Sequence, residues 1–129
     1  MTRKTLCIVV LGLLGAAACQ RQALVESDSA RPDLSRVREA QLALREDLEE
    51  LVRAQEAYWA DNEQYALDLE RLAFTASPGV LVDVLEAYRE GFSALATSES
   101  GQAECAVYVG SADPPRSYAR VAGVVACRA

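Results

Sequence analysis

Histidine is absent from this 129-residue chain. Its absence removes Ser-His-Asp and Cys-His catalysis, the usual zinc sites and the commonest general base near neutral pH. Phosphate-cradling and nucleotide-binding glycine patterns are missing as well: there is no Walker A run, no dinucleotide fingerprint and no GxSxG elbow. Ser35, Ser93 and Ser98 have no recognisable activating partner in the sequence. A glycosidase-type carboxylate pair needs a deep cleft. A chain this short, with 8 of its 19 acids along one predicted helix and the rest scattered, offers no sign of one. The sequence argues against an enzyme and nominates no cofactor, metal or small-molecule substrate; the acidic stretch EDLEE (Glu46 to Glu50) reads as a solvated helix face.

Positive charge is scarce too. Lys and Arg number 13 against 19 Asp and Glu, a formal charge of −6. Nucleic acid needs cations facing its phosphates, and anionic lipid needs a basic cluster, so neither is a partner for such a surface. Aromatic residues make up 6% of the chain. Three of them fall within YWADNEQY (58–65), so Tyr58, Trp59 and Tyr65 form a candidate contact surface beside their plainer role of packing a turn. Pro114 and Pro115, in a stiff loop between Gly110 and Tyr118, form the other candidate surface.

No uncharged run reaches the length of about 20 residues that a membrane span needs. The nearest is TLCIVVLGLLGAAA (5–18), preceded by Arg3 and Lys4. Basic residues, an apolar stretch and then small side chains are the order of a secretory signal. Ala16-Ala17-Ala18-Cys19 resembles a bacterial lipobox, with Ala16 where that family usually carries Leu. An ordinary Ala-x-Ala cut and a retained anchor are the alternatives. The four cysteines favour the lipobox: Cys7 leaves with the leader, Cys105 and Cys127 can pair in an oxidising compartment, and Cys19 is left odd unless a lipid occupies it. The expected division is a signal peptide at 1–18, a lipid-anchored tether at 19–32 and one α+β domain at 33–129. Losing Arg3 and Lys4 takes the cations from 13 to 11 while all 19 carboxylates stay, so the side-chain charge after cleavage is −8.

Residues 20–32 are polar and show no hydrophobic period, as a tether requires. Glycine and proline then vanish from Asp33 to Tyr58, where strong helix formers dominate. Leu34, Val37, Leu44, Leu48, Leu51 and Tyr58 recur on steps of three, four or seven, which predicts one amphipathic helix of about 28 residues spanning ~42 Å. Asp33 is its candidate N-cap and Asp61-Asn62 its end. Gln41, Asp47 and Gln55 interrupt the stripe, which favours packing on the chain's own sheet over a coiled-coil dimer.

Four short runs follow, separated by Gly, Pro or Ser: GVLVDVLEAY (79–88), GFSALATS (91–98), AECAVYVG (103–110) and SYARVAGVVAC (117–127). The third alternates cleanly, as a strand does. In the first, Leu81, Val84, Leu85 and Tyr88 also fit a short helix, but the Val content and the Arg89-Glu90-Gly91 break favour a strand entering a hairpin. The expected fold is α+β: an N-terminal amphipathic helix packed on a three- to four-stranded antiparallel sheet, with one disulfide, Cys105–Cys127, tying the last strand to its neighbour.

AQEAYWADNEQYALDLERL (54–72), PGVLVDVLEAYREGFSALATS (78–98) and the cysteine-bearing AECAVYVG and VVAC together resemble the globular region of type IV pilin-like proteins. Ala54, Tyr58, Tyr65, Leu69 and Leu72 match helix and turn positions of that family. Gly91-Phe92-Ser93-Ala94, Cys105 and Cys127 match its hairpin and its cysteine pair. The resemblance covers about residues 35–127. It implies a long helix leading into a small antiparallel sheet with a disulfide near the C-terminus. The chain departs from the family at its start, where the usual Phe and Glu of the filament-forming helix do not follow the leader. The functional expectation is a non-enzymatic lipoprotein of the bacterial envelope. It would be held through lipid (palmitate among its acyl chains) on Cys19 at the outer membrane facing the periplasm, with a pilin-like head that binds an envelope protein. The alternative is a minor pilin or pseudopilin of a type IV pilus or type II secretion filament.

Overall fold

A computed structural model describes residues 33–128; the leader, Cys19 and the rest of the tether lie outside the described residues. Helix α1 runs Leu34–Asn62 and is followed by a short 3-10 helix at Leu69–Leu72. Strands β1 (Val80–Ala87), β2 (Gly91–Ser98), β3 (Glu104–Gly110) and β4 (Ala126–Arg128) form one antiparallel sheet in sequence order. The described residues are therefore α+β, one helix of 29 residues on a four-stranded sheet. The helix starts at residue 34 and not at the amino terminus of the chain.

Strong helix formers uninterrupted by Gly or Pro carry α1 to Asn62. There Glu63 takes a left-handed conformation, with φ of 54°, and its N–H donates to the Trp59 carbonyl at 2.7 Å. The Asn62 side chain donates to the Tyr58 carbonyl at 2.8 Å and occupies another terminal acceptor. The middle of the predicted stripe is the buried part: Leu44, Leu48 and Leu51 are fully inaccessible. Each stabilises the fold by about 2 kcal/mol through apolar area removed from water. The stripe's first member, Leu34, is 69% exposed.

Opposite these leucines lie Val80, Val82, Phe92, Ala94, Ala96, Cys105 and Val107, the inner face of the sheet. Small residues at 94 and 96 let the helix sit close over β2. Strand β2 is buried on both faces, which accounts for its weak alternation: Leu95 joins Ala106 and Ala119 in a second, outer cluster. An antiparallel strand pair with one wet face has no such cluster.

The cover of that outer face corrects one expectation. Residues 117–125 are not a strand; only Ala126–Arg128 pairs with β3. Residues 111–125 instead cross the outer face as a loop, burying Ala112 and Ala119. Ala119 packs on Leu95 and Ala106, and Gly123, at φ of 80°, interrupts the strand pattern. The run at 79–88 is a strand, as its Val content favours. Cys105 and Cys127 face each other across β3 and β4 and are joined by a disulfide.

Candidate functional site

The segment between the helix and β1 doubles back along α1, and two polar side chains from the apolar stripe hold it there. Gln55 is fully buried and reads both polar groups of the Ala66 backbone: its amide nitrogen donates to the Ala66 carbonyl at 2.6 Å and its oxygen accepts from the Ala66 N–H at 2.8 Å. Two turns earlier, the buried Asp47 accepts from the Ser77 N–H and the Ser77 hydroxyl, both at 2.7 Å. Two of the three residues that interrupt the stripe, Asp47 and Gln55, are thus clamps on residues 66–77. Their polarity inside a helical apolar stripe was the only signal of this in the sequence.

These clamps position the exit of α1 against the β1–β2 hairpin. Trp59 Nε1 donates to the Arg89 carbonyl at 2.9 Å, and the Tyr65 N–H donates to the Tyr88 carbonyl at 3.1 Å. The Tyr65 ring packs on Phe92 with centroids 5.0 Å apart, and on Trp59 at 6.4 Å. An exposed Arg89–Glu63 pair at 3.4 Å adds little. Beside this latch a groove of about 410 Å³ opens, lined by Tyr58, Gln64, Tyr65, Leu67, Asp68 and Arg71. Burial, and then the charge of Glu56, raise the Tyr65 phenol above its ordinary value, so it stays a neutral donor at the groove wall.

Pro114 and Pro115 lie in the covering loop, Pro114 exposed and Pro115 half-buried. The loop is fastened to the same hairpin: the Ser111 N–H donates to the Glu90 carbonyl at 3.0 Å, and the Asp113 N–H to Glu86 Oε1 at 2.9 Å. The structure therefore fastens both segments to one hairpin, the aromatic latch through Tyr88 and Arg89, and the start of the proline loop through Glu86 and Glu90. Close backbone approach makes this possible at Gly91 and Gly110. A Cβ on Gly110 would fall 1.9 Å from the Glu90 carbonyl oxygen, and one on Gly91 would fall 2.4 Å from that of Val109.

A carboxylate missed at the sequence level holds the far part of the loop. Glu104 accepts from Arg116 Nε at 2.9 Å and from the Tyr118 hydroxyl at 2.8 Å. The Arg128 guanidinium lies 5.8 Å from the centre of the Tyr118 ring. Partial burial pushes the Glu104 carboxyl up, but the hydrogen bonds from Arg116 and Tyr118 and the charges of Arg116 and Arg128 outweigh it, and the net shift is downward. Tyr118 moves the other way: burial, then its bond to Glu104, raise it well above the ordinary phenol. Arg45 performs a similar service on the helix side, donating to the Val125 carbonyl at 2.9 Å and lying 3.7 Å from Cys127 Sγ.

What these groups offer is contact chemistry: phenols, an indole face, a groove and an exposed proline. Among the described residues no three His, Cys, Asp or Glu side chains are gathered to hold a metal ion, and no helix is long and apolar enough to cross a membrane. Of the predicted site residues, Cys105 and Cys127 are joined; Cys19 lies outside the described residues. No known family model matches the chain, and no curated protein is significantly similar to it.

Proposed function

We propose that the protein is a lipid-anchored component of the bacterial envelope whose α+β head is a non-enzymatic binding module of pilin-like design. Residues 1–18 are the leader, Cys19 carries the lipid, 19–32 are the tether, and the head faces the periplasm from the outer membrane. The observation that carries this reading is the use of the cysteines. Cys105 and Cys127 are spent on each other inside the head. Cys7 belongs to the apolar leader, so Cys19, directly after Ala16-Ala17-Ala18, has no thiol left to pair with. A thioether to lipid answers the odd cysteine and the leader together.

The head supports a binding role through the groove and the two contact surfaces, the groove backed by the hydrogen bonds from Gln55 and Asp47 that hold residues 66–77 in shape. The envelope partner would be a protein, since an acidic surface suits neither nucleic acid nor anionic lipid. The helix-on-sheet arrangement with a disulfide near the C-terminus is also what a minor pilin or pseudopilin would present. Intact mass of the protein extracted from host membranes, before and after reduction, separates the readings. A chain beginning at Cys19 with added acyl mass, and a gain of two hydrogens on reduction, is expected. A mass that retains residues 5–18 overturns the lipoprotein and puts the filament subunit first.

A further inference from the structure

The sheet has one long open edge. β1 stands first in the strand order, so among the described residues no strand is hydrogen-bonded to the outer side of Val80–Ala87. Its backbone groups on that side are a template for another extended chain. From Val80 to Val84 the strand is regularly paired with β2; between Val84 and Glu86 a bulge shifts the register. The pairing surface is thus short and definite. Val80 and Val82 point into the core, which turns Leu81 and Asp83 to the outer face. The cluster of Leu95, Ala106 and Ala119 does not extend to β1, and Leu81 is left 53% exposed, with Leu85 at the bulge 48% exposed.

Charge decides what suits this edge. Asp83 makes no ion pair and accepts no side-chain hydrogen bond among the described residues. A second copy pairing antiparallel about Asp83 would set two carboxylates opposite each other, which is destabilising. Registers centred on Val82 or Val84 would set Asp83 against Leu81 or Leu85, leaving the carboxylate beside an apolar side chain. A foreign strand with Arg or Lys opposite Asp83 and apolar residues two positions away satisfies the edge completely. The net negative charge of the domain steers such a segment inward.

We propose that the open edge of β1, at Val80–Val84, takes up an extended segment of the envelope partner in which a cationic residue alternates with apolar ones. This rests on reading the protein as an envelope binding module and names the chemistry of its partner. The test uses the full-length protein and the peptide acetyl-Thr-Val-Thr-Arg-Thr-Val-Thr-amide, whose symmetry suits either strand direction. Two controls accompany it: the same peptide with Glu at its centre, and the Arg peptide N-methylated at alternate backbone amides. Titration calorimetry is expected to show saturable binding of the Arg peptide, weaker binding of the Glu peptide by about tenfold or more, and none for the N-methylated form. Amide exchange is expected to slow at Val80–Val84. Asp83→Arg, an exposed change that leaves the core untouched, is expected to reverse the preference between the Arg and Glu peptides. Equal affinity for both charges, binding that survives N-methylation, protection elsewhere on the head, self-association through β1, or no binding of either peptide would each overturn the proposal. None of these outcomes touches the mass of the amino terminus, so the edge can fail while the anchored module stands, and the reverse.

Discussion

At the scale of single residues, the glycines divide by what surrounds them rather than by their backbone angles alone. Gly101 and Gly110 both have positive φ, 71° and 65°, but a Cβ on Gly101 meets open space, whereas one on Gly110 collides with the Glu90 carbonyl. Gly101→Ala is expected to lose about 1 kcal/mol, the usual penalty for a side chain in the left-handed region. Gly110→Ala adds to this the displacement of the hairpin it touches, and about 3 kcal/mol or more is expected. Urea denaturation of the two variants side by side checks the difference. Equal losses would mean that the hairpin gives way freely and that the close approach contributes no stability. Nothing in a one-letter sequence separates these two positions, because the obstructing carbonyl belongs to a residue 20 positions away.

Among the elements, α1 does more than bury leucines. Its two buried polar residues organise the chain that leaves it, so that the 3-10 helix and the approach to β1 are held by side chains rather than by a sheet ladder. Asp47 satisfies the Ser77 backbone N–H and the Ser77 hydroxyl from one carboxylate. Asp47→Ala removes both bonds, each to a charged acceptor, and a loss of about 3 kcal/mol is expected, together with faster amide exchange at Ser77. Stability falling with no change in exchange at Ser77 would place the effect in the helix instead. The helix was readable from its period and β3 from its alternation, because periodicity is a property of neighbours along the chain; β1 rested on its Val content and the Arg89-Glu90-Gly91 break, and β2 on the Gly and Ser breaks around it. The clamp was not: the apolar stripe shows that Asp47 and Gln55 face inward, but not what they meet there. The last strand was misread for the converse reason. Residues 117–125 are apolar enough to be a strand, and the demand of Leu95 and Ala106 for an outer cover drew them across the sheet instead.

For the molecule as a whole, the charged and phenolic groups set a window of pH. The Glu104 carboxyl is lowered on folding from its ordinary 4.5, so the stability it contributes is present above that value and lost as pH falls through its folded pKa. Tyr118 and Tyr65 are raised from 10.0, each with burial as the largest cause, so their contribution is present below pH 10.0 and lost as pH rises beyond it. Thermal unfolding followed across pH is expected to show a plateau between these limits, and Glu104→Gln is expected to flatten its acid side. An acid limb unchanged in that variant would assign acid unfolding to other carboxylates. The same cluster shows where legibility stops. Hydrophobic period, the distribution of Gly and Pro and the count of cysteines determined the class of fold, the helix, three of the four strands and the disulfide, because each follows from local preference or from elimination. Tertiary structure alone decided that Glu104 meets Arg116 and Tyr118, that Arg45 reaches Val125, that the tyrosine latch and the proline loop share one hairpin, and that β1 is left with an open edge. Those outcomes depend on where distant parts of the chain return to one another, and that is settled by packing two faces of one sheet at once.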